Sequence, residues 1–209
     1  MNSNRFSGGI LLFSAALFLT GAAANGQAPG TASQPMPSQP PSATATAGSP
    51  ADAGTPNAQA LDDQEFLRKA MQGGQAEVQL GQLAQQKSQS DDVKQFGQKM
   101  VQDHTQLGSQ VVMPVAKSLG VKEAKGLSKK DKQLVATLEA LSGPQFDQEY
   151  IRAMVKDHKQ DLKEFKSEAE MTQDPNVKRA AQEGATVIEQ HLQLIEQIAQ
   201  KHNVETASN

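Results

Sequence analysis

The residues of this sequence best equipped for chemistry are its histidines. The chain has 209 residues, four His and no Cys, so thiol nucleophiles, disulfides and zinc–thiolate sites are excluded. Neutral imidazole is a donor for first-row transition metals and also the side chain that exchanges a proton near neutral pH. His104, His158 and His191, joined by the carboxylate of Glu77, would offer three nitrogens and one anionic oxygen to a single ion, or a set of groups that share protons. Met100 and Met154 each precede a histidine by four residues. That spacing puts a soft sulfur and an imidazole on one helix face, as Cu(I) prefers, although gap filling in a core asks for the same pattern. The element Met-Val-x-Asp-His occurs twice, ending at His104 and at His158. Its Asp103 and Asp157 lie about 100° round a helix from the adjacent imidazole, which suits solvated residues or ring-orienting partners rather than ligands. His202, close to the C-terminus, reads as a solvated residue.

These groups meet only if four helices bring them to one height. Beyond residue 60 no segment alternates with the period of a strand, and the punctuation is helical. A first helix is expected over residues 61–87, with Asp62 and Glu65 as a capping box. A second starts behind Ser90 and runs to about Gly120, its last turns kinked by Pro114. A shorter helix runs from Ser128 to about Leu141. Gly143-Pro144 opens a long one, and Asp174-Pro175 supplies the N-cap and first residue of the last, which ends near His202. Turns of two or three residues join the first two and the last two long helices, so each pair is expected to form an antiparallel hairpin. Residues 120–143 cross between the hairpins, and their 14-residue helix would span about 21 Å. The expected fold is an all-α four-helix bundle of two antiparallel hairpins, with a long crossover containing a short helix.

Helical counting places the four groups inward. The series 93, 97, 100, 104, 107, 111 puts His104 in a seam with Met100 and Leu107. The series 147, 151, 154, 158, 162, 165 and 177, 181, 184, 188, 191, 195, 198 do the same for His158 and His191, and 66, 70, 73, 77, 80, 84 for Glu77. At 1.5 Å per residue the four lie roughly 18–26 Å from their turns, near the middle of helices about 40 Å long. Gly73, Gly74, Gly81, Gly97 and Gly184 lie on or beside these faces. Each costs about 1 kcal/mol against Ala, which points to close helix contacts or to room for a bound group.

The first 60 residues read differently. They hold only one of the 20 Lys/Arg, Arg5, and one of the 23 Asp/Glu, Asp52. Arg5, the apolar run from Ile10 to Gly21 and the small residues Ala22-Ala23-Ala24 form an export leader, residues 1–24, too short for a comfortable membrane span. Residues 25–60 carry seven of the ten prolines among Ala, Ser, Thr and Gln, a composition expected to stay disordered as a linker. The helical domain is thus residues 61–204, and the protein is expected to be exported, periplasmic or outer-membrane associated. A net charge of −3 from mixed signs argues against nucleic acid as a partner. The Lys-rich stretch 117–132 reads as a solvated connector with at most weak affinity for an anionic surface, a peripheral contact with the envelope.

Three readings of the polar layer stand side by side. It holds one transition-metal ion (Fe, Zn, Cu or Mn), it is a proton-sharing cluster, or the histidines are unrelated core residues each satisfied locally. No nucleophile elbow or phosphate-cradling loop assigns a reaction.

Asp63-x-x-Phe66 with Ala70, Gly74-x-x-Glu77, Val93-Lys94-x-Phe96, Met100-x-x-x-His104, Phe146-Asp147-x-x-Tyr150, Met154-x-x-x-His158, Asp174-Pro175 and His191-Leu192 together resemble the domain of unknown function 4142 family, over essentially all of residues 61–200. The resemblance implies a ferritin-like bundle in an exported protein, of a kind often labelled an outer-membrane protein, and brings no agreed activity. Di-iron ferritin-like proteins carry Glu-x-x-His on two helices. Here Val101, Val155 and Ile188 stand three residues before the histidines, so ferroxidase chemistry is not inherited. Two functions follow as expectations: storage, buffering or redox protection through a metal at Glu77, His104, His158 and His191, or a non-enzymatic envelope stress or interaction protein whose polar core is structural.

Overall fold

A computed structural model describes residues 58–123 and 125–206. The leader and almost all of the linker lie outside the described residues. The rest is helical: α1 Ala58–Lys87, α2 Asp91–Leu107, a wide π-helical turn Gly108–Val112, α3 Met113–Ser118, α4 Lys129–Glu139, α5 Gly143–Met171 and α6 Pro175–Lys201. Together, α2, the π turn and α3 make one long rod, so four long helices and one short connector form the bundle. Among the described residues there is no strand, and no helix is long and apolar enough to cross a membrane.

Local signals set most boundaries. Asp174 caps α6 by accepting from the Asn176 and Val177 amides at 2.7 and 3.2 Å, and Ser128 caps α4 by accepting from the Asp131 amide at 3.1 Å, each cap being worth about 1 kcal/mol. Asp62 is not a cap, because α1 is already helical from Ala58, and the Gln59 side chain donates to Asp63 Oδ1 at 2.8 Å one turn on. Ser90 holds the N-cap position of α2, but its side chain makes no capping bond. The disturbance expected at Pro114 falls just upstream of it. There the Met113 amide reaches back five residues to the Gly108 carbonyl, which takes up the i−4 clash of the proline ring. Gly143 has φ +57°, a left-handed turn that glycine makes without strain before Pro144.

Three-residue turns close the α1–α2 and α5–α6 hairpins. The crossover starts beside the beginning of α1, where Gln64 donates to the Leu119 carbonyl at 3.0 Å, and ends beside the α1–α2 turn, where Gly143 meets Gln89. Its α4 has 11 residues, about 16 Å, shorter than expected. Around the bundle the order is α1, α2, α6, α5, and every neighbour runs antiparallel. The end of α6 returns to the start of α2, where Lys201 and His202 hold Asp92 at 2.7 and 3.0 Å. His202 is therefore not the solvated residue expected from its position; the hairpin geometry gives it a partner.

The apolar core has two parts. One gathers Leu80, Phe96, Met100, Phe146, Tyr150, Met154 and Ile195 under Val135 and Leu138 of α4. The other gathers Leu67, Met71, Leu107, Val112, Val115 and Val177. Between them lie the buried Glu77, His104, His158 and His191. In the first core α1 and α2 touch backbone to backbone, since a Cβ on Gly81 would lie 2.6 Å from the Gly97 carbonyl and one on Gly97 2.7 Å from that of Gly81. A Cβ on Gly73 or Gly74 would meet nothing within 4 Å. Hence G81A should cost about 1–3 kcal/mol by overpacking, whereas G73A should gain about 0.5–1 kcal/mol of helix stability; urea denaturation of the two variants checks the opposite signs.

A buried acid pair, Asp63 and Glu168, lies where the start of α1 meets the end of α5. Burial and a hydrogen bond to Asp63 push Glu168 up to about 7, with Asp62 adding repulsion. Its native pKa exceeds its unfolded value, so the retained proton stabilises the fold fully below the unfolded value, and that contribution is lost as pH rises through about 7. E168Q keeps a neutral side chain there. It should gain on the wild type in urea midpoint as the pH is raised from about 5 to about 8, with no such divergence if the Asp63–Glu168 contact is absent.

Candidate functional site

The middle layer draws one group from each long rod: Glu77 from α1, His104 from α2, His158 from α5 and His191 from α6. All are buried, His158 and His191 completely. Their ring centroids are 5.1–6.1 Å apart, and one donor nitrogen from each imidazole lies within 4.8 Å of the others.

Hydrogen bonds determine which nitrogen of each ring faces inward. His158 Nδ1 lies 3.0 Å from the Met154 carbonyl, an acceptor only, so Nδ1 carries the proton and Nε2 the lone pair. His191 Nε2 lies 2.8 Å from Asp103 Oδ2, which leaves its lone pair on Nδ1. His104 Nδ1 lies 2.9 Å from Glu77 Oε2, and its Nε2 faces His191 Nδ1 at 3.2 Å. Every ring is thus turned by an oxygen on its outer nitrogen, the outer-sphere arrangement found around metal-bound histidine. In the absence of an ion, the His104–His191 contact needs a proton on both nitrogens of His104, since two lone pairs repel.

The electrostatics agree. Burial favours a neutral Glu77, but the facing histidines, His104 first, hold its carboxyl down to about 2. Burial works against a charged His104, yet the Glu77 carboxylate raises it above its ordinary value. Burial and the charge on His104 lower both His158 and His191, the latter to about 4. One imidazolium and one carboxylate therefore share the layer with two neutral rings. Glu77 Oε1 and His158 Nε2 stand 3.6 Å apart, and neither has a hydrogen-bond partner.

A cleft of about 370 Å³ opens against this layer. Glu77 and His104 reach its floor, together with Asp161 of α5, and Phe66, Met71, Leu107, Phe165 and Ile188 form its walls. Burial, then Glu77 and Asp157, push Asp161 up to about 9. Asp157 itself is paired with Lys130 at 2.7 Å. The expected seam is buried throughout α6, but Phe66, Ala70 and Gly73 on α1 and Leu162 and Phe165 on α5 are only half-buried, with Leu67 and Met71 taking the interior. Four of the five, Leu162 excepted, line the cleft, so the seam stays open where the cleft lies.

The structure thus brings Glu77, His104, His158 and His191 together. Asp103 is the partner that orients His191. Met100 and Met154 are fully buried in the apolar core, the gap-filling alternative. Asp161 lies off the α5 seam counted from the sequence, which steps by four from His158 to Leu162, whereas a step of three reaches 161.

No curated protein matches the chain. Among solved structures, a DUF305 protein from Streptomyces coelicolor described as secreted is similar, at 13% identity and a TM-score of 0.60, over 70% of this chain and 97% of that one. At that identity the likeness concerns the fold alone. The family model described as a domain of unknown function, DUF4142, matches residues 47–198, and the chain belongs to that family.

Proposed function

We propose that this is an exported helical-bundle protein that binds one first-row transition-metal ion between His104, His158 and His191, with Glu77 Oε1 as the adjacent anionic donor. One observation carries the reading: three imidazoles are locked from outside so that a single lone pair from each faces a common centre. Nitrogens bound at 2.0–2.1 Å to a tetrahedral ion lie about 3.4 Å apart, and His104 Nε2 and His191 Nδ1 are at 3.2 Å. His158 Nε2, without a partner, belongs to the third ring of the same set, and Glu77 Oε1, 3.6 Å from it, is the adjacent carboxylate. A nitrogen-rich set of this kind suits Zn, Cu or Fe, and Mn less well. A buried site reached through a cleft fits storage, buffering or redox protection. The leader at residues 1–24, and the secreted description of the structural neighbour, support export to the periplasm or outer membrane, with residues 25–57, up to the start of α1, as a spacer.

A second reading rests on the contact between Glu77 and His104 at 2.9 Å. A proton on His104 completes part of the layer without a metal, and the protein would then be an envelope stress or interaction protein with a structural polar core.

The two separate cleanly. Protein purified without a histidine tag should carry one metal per chain by elemental analysis, and H158A and H191A should each abolish it. Chelation should lower Tm by about 5–10 °C, the shift expected for an ion present at about 100 times its Kd. Metal-free protein whose melting is unchanged by chelator or by added Zn, Cu, Fe or Mn would establish the structural reading instead.

A further inference from the structure

The cleft beside the histidine layer contributes more than access. Its volume of about 370 Å³ falls within the range of small-molecule sites, about 300–1,000 Å³. It is kept open by glycine: Gly73, Gly74 and Gly108 all line it, and a Cβ on any of them would meet nothing within 4 Å. Helix packing explains Gly81 and Gly97 but not these three, each of which lowers helix propensity relative to Ala. The walls are apolar, and Phe66 and Phe165 stand edge to face with centroids 4.9 Å apart. The lining is acid-rich, with Glu77, Glu123, Asp161 and Glu164 against Lys69 and His104. Oxygens of Glu77, Asp157 and Asp161 lie within 4.8 Å of one another. Among the described residues Asp161 makes no ion pair, and Glu77, 4% exposed, has an oxygen without a partner.

An acidic floor under aromatic and aliphatic walls selects a particular kind of molecule. A hard metal ion asks for oxygen or water on every side, which walls of Phe, Leu and Ile do not give. An ammonium group donates to the Glu77 carboxylate and to Asp161, which an adjacent cation drives to ionise, while its apolar part fills the remaining volume beside the aromatic rings. We propose that the cleft binds a small amphipathic organic cation, an alkyl or aryl amine or quaternary ammonium, with its charged head on Asp161 and Glu77 and its apolar part beside Phe66 and Phe165. This site adjoins the histidine layer and does not depend on a metal there.

The test uses the full chain, with hexylammonium and benzyltrimethylammonium as probes and 1-hexanol as the neutral match, followed by calorimetry and by NMR shifts of residues around the cleft. Both cations should bind one per chain, with hexanol at least about tenfold weaker, the scale of one charged hydrogen bond. D161N should weaken the cations and leave hexanol unchanged. G74L and, separately, G73L should exclude all three probes by filling the space, with circular dichroism confirming the helical fold of each. Equal binding of hexanol and hexylammonium, unchanged cation binding in D161N, or displacement of the amine by Mn²⁺ at Asp161 would each overturn the proposal. The titrations are run on the protein as purified and after chelation, and its metal content is read separately, so failure of either site is distinguishable from failure of the other.

Discussion

Three imidazoles that turn their inner nitrogens toward one centre repel one another unless a proton or a metal ion lies between them. Here the outer nitrogens are already committed to the Met154 carbonyl, Asp103 and Glu77, so rotating a ring to escape the conflict would break an oriented hydrogen bond. A proton on His104 relieves the contact with His191 but leaves His158 Nε2 and Glu77 Oε1 unpartnered, at about 1–3 kcal/mol for each buried orphan. A metal ion would take all the free donors at once. That difference, more than the presence of three histidines, is what favours the metal over the proton.

The same contacts constrain the bundle. The layer separates two apolar clusters that on their own would tolerate sliding, since apolar side chains pack without direction. His104 with Glu77 ties α2 to α1, and His191 with Asp103 ties α6 to α2. A shift of one helical turn, about 5.4 Å, would put a carboxylate or an imidazole into one of the apolar halves. Polar groups held this way set register. The Gly81–Gly97 approach does the same steric work nearby, because only at one register do two glycines face each other.

What the sequence made legible follows from what helices repeat. Period fixes which side of a helix a residue occupies, and a three-residue turn fixes heights within a hairpin, so the inward convergence of Glu77, His104, His158 and His191 could be counted out. Contacts off the seam were less visible. The spacing leaves Asp103 as either a solvated or a ring-orienting residue, and which ring it meets depends on α6 rather than α5 lying beside α2, which no spacing encodes. His202 finds Asp92 only because the last helix returns to the start of the second. The cleft escaped for a different reason: periodicity marks Phe66, Ala70 and Gly73 as seam residues and does not say whether the opposing helix fills the seam. On α5, Asp161 puts a polar side chain into the same cleft one residue before the counted seam position Leu162.

Cleft and layer meet at a single side chain. Glu77 holds His104 with Oε2 and has Oε1 without a partner, at the boundary between the histidine centre and the acid floor. The Glu77 carboxylate can serve a metal on one side while an ammonium approaches from the cleft, but the two charges would then repel across it. Binding on either side also removes part of the negative potential that draws a cation to the other. Linkage makes the effect mutual, so a metal would weaken the amine by the same factor as the amine weakens the metal. Filling of the cleft by an organic cation would then weaken the hold on an ion in the layer, with Glu77 as the connection between the two.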